Sequence, residues 1–214
     1  MSELSIQEKV KNLSGLEFSL AEIPMHVSNV DLADPDLILW YAQFAKREIW
    51  IDYEITSETS LFIVKWIDYL NKYSNDLETP ITLHIFSPGG ELRTMFTLYD
   101  AIKKSRIPIH TINEGDCHSA AFLVFLAGQK RTMRPYSLFI AHEGSGGAIG
   151  SYRETKAAAA QYDREIELMR KIIAFETSIG EDEINTKFEQ SQDWYINYLD
   201  AIQYGIITQE VVIK

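Results

Sequence analysis

The chain has 214 residues, 46% of them hydrophobic and 24% charged, with 31 acids against 20 bases and a formal net charge of −11. That length supports one sizeable core and leaves little room for two, and the acidic balance argues against nucleic-acid and membrane partners, since phosphate backbones and anionic lipid repel it. The single cysteine, Cys117, excludes an intrachain disulfide framework; there is no apolar run near the ~20 residues of a bilayer span and no cationic-then-apolar leader, so a cytoplasmic address is expected.

Residues 1–23 are mixed polar with few periodic apolar positions and read as an appended arm. Asp34-Pro35-Asp36 opens a predicted helix, "LILWYAQFAKR", and "EIWIDYEI" (48–55) alternates apolar and polar residues as a strand does. "SLFIVKWIDYLNKY" has helical spacing through Phe62, Trp66, Ile67 and Leu70. "PITLHIF" reads as the next strand, Ser87-Pro88-Gly89-Gly90 as a turn, "ELRTMFTLYDAIKK" as a helix and "IPIHTI" as a strand. This alternation predicts an α/β architecture with crossover connections. From Tyr152 to about Ser178 one long amphipathic helix is expected, spanning ~40 Å at 1.5 Å per residue. It is longer than a small globule needs, so it should project and seek a partner, which points to an oligomer.

The chemistry concentrates on "IHTINEGDCHSAAFLVFLAG" (109–128), where Ser119 stands between a strand-like and a helix-like run. A serine becomes a nucleophile only with a base, an acid that orients the base, and N–H donors for the oxyanion. Five histidines are candidate bases: His26, His84, His110, His118 and His142. His118 adjoins Ser119, but neighbouring side chains of an extended segment diverge. His142 follows the strand-like "SLFIA" and precedes the glycine-rich "EGSGG", a suitable place to meet a peptide. Each feature also has a plain alternative. Serine is a favoured N-cap, a lone histidine is more often packed than catalytic, and Gly89-Gly90 alone is a turn. Composition and spacing therefore stop at an α/β oligomer with a candidate hydrolytic site.

The ordered combination goes further. "FSPGGELRTMFTLYDAI", then "EGDCHSAAFLVFLAG", then "RPYSLFIAHEGSGGAIG" resembles the proteolytic subunit family of the Clp protease, ClpP. The resemblance continues through "DREIELMRKIIAFETSIGEDEI", similar to that family's handle helix, and "QDWYINYLDAIQYGII", similar to its acid-bearing segment. Upstream, "IPMHV" and "KREIWI" match two family strands, so the resemblance runs from about Ile23 to Val211. It implies the ClpP/crotonase-like fold of repeated β-β-α units with a projecting handle. The expected organisation is an arm or propeptide-like extension (1–23) and a single peptidase domain (24–214), with the head at 24–151 and 186–214 and the handle at about 152–185.

Position by position, the resemblance implies Ser119 as nucleophile, His142 as general base and Asp193 as orienting acid, with the Gly90 and Ala120 N–H groups as the oxyanion hole. Peptide is expected to bind by strand addition along Gly144, Ser145, Gly146, Gly147 and Ala148, where glycines let a second backbone come close to an exposed strand edge, and a plain flexible loop is the alternative. No metal and no cofactor are expected. The implied activity is serine endopeptidase cleavage of unfolded polypeptides inside a tetradecamer of two stacked heptameric rings, fed by a AAA+ Clp ATPase or assembled as a mixed ring with other ClpP-like subunits. A weakly active or regulatory ring subunit and a crotonase-type acyl-CoA enzyme are the alternatives, and the latter does not need Ser119, His142 and Asp193 together.

Several positions depart from the family pattern. Cys117 and His118 replace small residues before the nucleophile, Ala121 replaces a glycine after it, and Gln192 stands where an arginine is frequent. Asn197, Leu199 and Asp200 also differ. At the positions that line the family's apolar ATPase-docking pocket stand Thr82, His84, Lys104 or Ser105, and Thr132, which are polar. Docking is therefore expected to be altered.

Overall fold

A computed structural model describes residues 43–190 and 193–210. The arm, the "IPMHV" strand, most of the "LILWYAQFAKR" helix, Gln192 and Val211 lie outside the described residues; Gln43, Phe44 and Ala45 are helical.

The elements in chain order are β1 (Glu48–Ile51), α1 (Ser57–Tyr73), β2 (Ile81–Ser87), α2 (Leu92–Lys104), β3 (Ile109–His118) and α3 (Ala120–Leu126). They continue as β4 (Lys130–Met133), β5 (Leu138–Ala141), α4 (Tyr152–Glu176), α5 (Glu181–Gln190), β6 (Trp194–Ile196) and α6 (Tyr198–Gln203). The strands form one sheet, ordered β1-β2-β3-β5-β6, with β4 also on β3. All pairings are parallel except β5 with β6. The predicted α/β alternation is therefore realised as parallel crossovers, with one antiparallel return.

Local chemistry sets the boundaries. Thr56 caps α1 through a reciprocal box with Thr59, and Ser151 caps α4 in the same way with Glu154. The buried residues of α1 are Ser60, Ile63, Trp66, Ile67 and Leu70; Phe62, expected on that face, is half exposed. Strand β1 stops at Ile51, short of the predicted 48–55, and only Ile55 returns to the sheet, as an isolated bridge to Gly90. Strand β3 runs well past the predicted 107–112. Its first half pairs with β4 from His110 to Asn113 and its end pairs with β5 from Asp116 to His118. At the changeover the Asn113 side chain accepts from the Gly115 N–H and donates to the Leu138 carbonyl, satisfying backbone that the ladder leaves open.

All seven residues of α3 are buried, so this helix is wrapped on every side by β3, α2 and α4. Helix α4 has 25 residues, close to the expected span, and ends at Glu176 because Thr177 leaves the helical region. Only Glu165, Met169 and Ile173, one stripe at four-residue spacing, are buried; Ala157 to Ala160 are exposed. The helix docks through its second half and projects its first. At the docked end the buried Arg131 guanidinium donates to the carbonyls of Leu126, Gly205, Ile206 and Glu176, at 2.7 to 3.0 Å, and pairs with the Glu176 carboxylate at 3.5 Å. Lys103 and the Tyr99 hydroxyl complete the shell around that carboxylate. Among the described residues no helix is long and apolar enough to cross a membrane.

Candidate active site

Ser119 joins the end of β3 to the start of α3, and its backbone makes the turn with φ 54° and ψ −123°. Arg47 and Ser119 are the non-glycine residues with positive φ among those described, so this turn carries strain of order 1–3 kcal/mol. Three contacts hold it. The Ser119 N–H donates to the Ile140 carbonyl of β5 at 2.7 Å, and the Ser119 carbonyl accepts from Phe122 at 3.0 Å. The Ser-Pro-Gly-Gly turn presses against it from the third side: a Cβ on Gly89, whose φ is +95°, would lie 2.6 Å from the His118 oxygen and 2.8 Å from the Ser119 Cβ.

Gly90 is held by the Ile55 bridge. Ile55 donates to the Gly89 oxygen at 2.7 Å and accepts from Glu91 at 2.9 Å. A parallel bridge of this kind uses the groups on either side of Gly90 and turns the Gly90 N–H the other way. A side chain there would strike the Ile55 carbonyl at 2.2 Å. The Ala120 N–H belongs to the first turn of α3, where amides lack intrahelical partners.

His142 and Asp193 are brought together by sheet register. Ala141 of β5 faces Trp194 of β6 in the antiparallel ladder, so the next pair outward is His142 and Asp193. Their Nδ1 and Oδ1 atoms lie 3.6 Å apart, an ion-pair separation slightly beyond hydrogen-bond length. Catalytic contacts are often this long before substrate binds. Ser119 and His142 line a common cavity of about 460 Å³, together with Gly90 and the Gly144-Ser145 loop start.

His118 does not line this cavity, and its Nε2 lies 3.6 Å from Asp116. Cys117 is buried, and burial drives its thiol pKa well above the ordinary value, so it stays neutral and part of the core. His84 stacks on Trp50 and its Nδ1 contacts Glu114 at 2.6 Å; the pKa of His110 is lowered by burial and by Lys130. Residues 144–148 are irregular and exposed. The expected strand edge is absent here because, among the described residues, no neighbouring backbone pairs with them. Gly144, with φ +81°, instead sits under the Tyr162 hydroxyl, which donates to the Glu143 carbonyl at 2.7 Å.

The remaining walls were not foreseen from the sequence. Glu91 and Arg93 come from the start of α2, Glu143 from the loop, and Tyr162 and Glu165 from α4. Arg93 Nε bonds Glu165 Oε1 at 2.7 Å across 72 positions, a pairing that no local pattern announces. Among the described residues no group of three or more His, Cys, Asp or Glu side chains is placed to hold a metal ion. On the opposite face of the sheet, Thr82, His84 and Thr132 alternate with core positions and share one surface with the exposed Phe86. Ser105 is committed to the turn after α2, accepting from Asn71 and donating to the Ile107 carbonyl.

A largely parallel sheet, a strained serine turn capped by a buried helix, and a projecting handle define the ClpP-like α/β class. In fold the chain is similar to a point mutant of ClpP1 from Listeria monocytogenes, with a TM-score of 0.71 and 24% identity, covering 82% of this chain and 97% of that one. The sequence specifies the family. The family model described as Clp protease matches residues 37–214, and this chain belongs to that family, a family of serine endopeptidases. It is 30% identical over 165 residues to ATP-dependent Clp protease proteolytic subunit 2 of Treponema denticola, covering 76% of this chain and 80% of that protein. It is 24% identical over 189 residues to the ATP-dependent Clp protease proteolytic subunit of Dehalococcoides mccartyi, covering 87% and 92%.

Proposed function

We propose that this chain is the proteolytic subunit of a self-compartmentalising ring protease, cutting unfolded polypeptides by acyl transfer through Ser119, His142 and Asp193. The observation that carries this reading is the register of β5 and β6, which sets Asp193 against His142 on the cavity that Ser119 also lines.

The Ser119 hydroxyl oxygen attacks the acyl carbon of the scissile bond while His142 Nε2 takes its proton. Asp193 holds the Nδ1–H side of the ring and stabilises the imidazolium. The tetrahedral oxyanion is received by the N–H groups of Gly90 and Ala120, the second reinforced by the α3 dipole. Collapse expels the amine, which takes the proton from His142. Water then attacks the acyl-enzyme by the same exchange, releasing the acid and restoring Ser119. Residues 144–148 order as a strand when an extended peptide lies beside them.

In this reading the arm is 1–23 and the remainder is a single domain with the handle at about 152–185. The assembly is a tetradecamer of two heptameric rings served by a AAA+ Clp ATPase. The exposed Leu168 and Phe175 on the handle favour burial against another subunit. A mixed ring is favoured by the polar face at Thr82, His84 and Thr132, because apolar partner loops gain little there and other subunits would supply the docking pockets. The test combines labelling with a fluorophosphonate, which should require Ser119, with native mass and negative-stain imaging for rings. Equal peptide turnover by Ser119→Ala protein overturns the assignment.

A further inference from the structure

We propose that Glu165 determines the specificity of this site, selecting peptides with lysine or arginine at the residue whose carbonyl is attacked. The inference rests on Ser119 being the nucleophile.

The cavity wall formed by α4 carries Tyr162 and, one turn on, Glu165. Glu165 is buried, with 11% of its side chain exposed, whereas its partner Arg93 is 73% exposed. Oε1 accepts from Arg93 at 2.7 Å and from Gln161 at 3.0 Å, and among the described residues Oε2 accepts no bond. Burial alone would raise the pKa of Glu165, but the bonds from Arg93 and Gln161 and the Arg93 charge outweigh it and hold the pKa below the ordinary value. The carboxylate is therefore ionised at neutral pH.

Two more acids, Glu91 and Glu143, share the walls, where Arg93 is the one lysine or arginine among the described residues. Glu143 pairs with Arg170, which is not part of the cavity lining. An aliphatic side chain entering here strips water from carboxylates and returns nothing. A lysine or arginine side chain exchanges one cation for another on Glu165, and the displaced Arg93 reaches solvent at little cost, because its side chain is already 73% exposed and the buried carboxylate keeps a cationic partner. The incoming cation can also bond Oε2. An acidic side chain would meet three carboxylates.

The experiment uses the full chain with three peptide diphenyl phosphonates that differ only in carrying lysine, norleucine or glutamate at the acyl position. Inactivation rates and the mass of the Ser119 adduct are read, beside labelling by a simple fluorophosphonate. We expect the lysine reagent to react about 10-fold or more faster than norleucine, the fold-change of one charge-assisted hydrogen bond, and glutamate to be slowest. Glu165→Gln should collapse the lysine-to-norleucine ratio, and Arg93→Gln, which removes the competing cation, should raise it. A labelled protein that prefers norleucine or glutamate, or whose ratio is unmoved in both variants, overturns the pocket assignment and leaves the nucleophile standing. Absence of fluorophosphonate labelling at Ser119 overturns the nucleophile and this inference with it. Should Glu165→Gln fail to fold, the Arg93→Gln ratio decides.

Discussion

Among the arginine–glutamate pairs that fasten the handle helix α4 to the rest of the molecule, the two at Arg131 and Arg93 are built differently. At the docked end Arg131 and Glu176 are 8% and 7% exposed, and Arg131 also bonds four backbone carbonyls. At the cavity, Glu165 is buried but Arg93 stands mostly in solvent and makes one bond to it. Leaving a buried charge unpaired is costly, so the inner pair cannot exchange partners; the outer pair can. The inner pair belongs to the fold and the outer one to recognition.

The sharpest separation of fold from chemistry comes at Ser119, beside the outer pair. Ser119→Ala should lower peptide turnover by about 10⁴-fold or more, while the thermal midpoint stays where it was. A variant that still turns over peptide removes the site from the comparison.

The next effect is on stability. Arg131→Met leaves four buried carbonyls without their donor and takes one cation from the Glu176 carboxylate, which keeps Lys103 and Tyr99, and should destabilise by about 3–5 kcal/mol in urea titration. A loss under ~1 kcal/mol would place the inner pair in the same class as exposed pairs.

Gly89→Ala should act on both properties, since the new Cβ meets the His118 oxygen and Ser119 Cβ and occupies a φ of +95°. A loss of ~1–3 kcal/mol with a large fall in fluorophosphonate labelling is expected. Unchanged labelling would show that the turn moves without consequence for the serine.

Smallest is Arg93→Met, expected to cost about 1–2 kcal/mol, because the buried Glu165 carboxylate loses its cation but keeps the Gln161 donor. The pH profile sharpens the point. The Glu165 pKa is lower folded than unfolded, so its contribution is complete above the unfolded value of ~4.3 and fades as pH falls through the depressed folded one. Melting temperatures between pH 6 and 3 should fall less steeply for Arg93→Met than for the unsubstituted chain. Parallel curves would mean that the pair adds nothing.

Much of this was legible in the sequence, because it is local. The capped start of α4 at Ser151, the turn at Ser87-Pro88-Gly89-Gly90, and the alternation of Ile81, Leu83 and Ile85 with polar neighbours are set by residues within a few positions of each other. The placing of Ser119 between a strand and an apolar helix was readable for the same reason. The full length of β3 was not: "NEGDCH" has no apolar alternation, and its bonds come from β4, then β5, with the Asn113 side chain bridging the change.

The sequence by itself determined an α/β alternation, a long amphipathic helix, a serine at a strand-to-helix turn and, through its ordered motifs, the family. Only the tertiary structure decided that Asp193 meets His142 one step beyond a strand ladder, and that Arg93 and Glu165 enclose the same cavity. Those side chains lie far apart along the chain and meet only when β6 pairs with β5 and α4 docks by its buried stripe. Such contacts come from sheet register and helix packing and leave no periodic trace in the residues that make them.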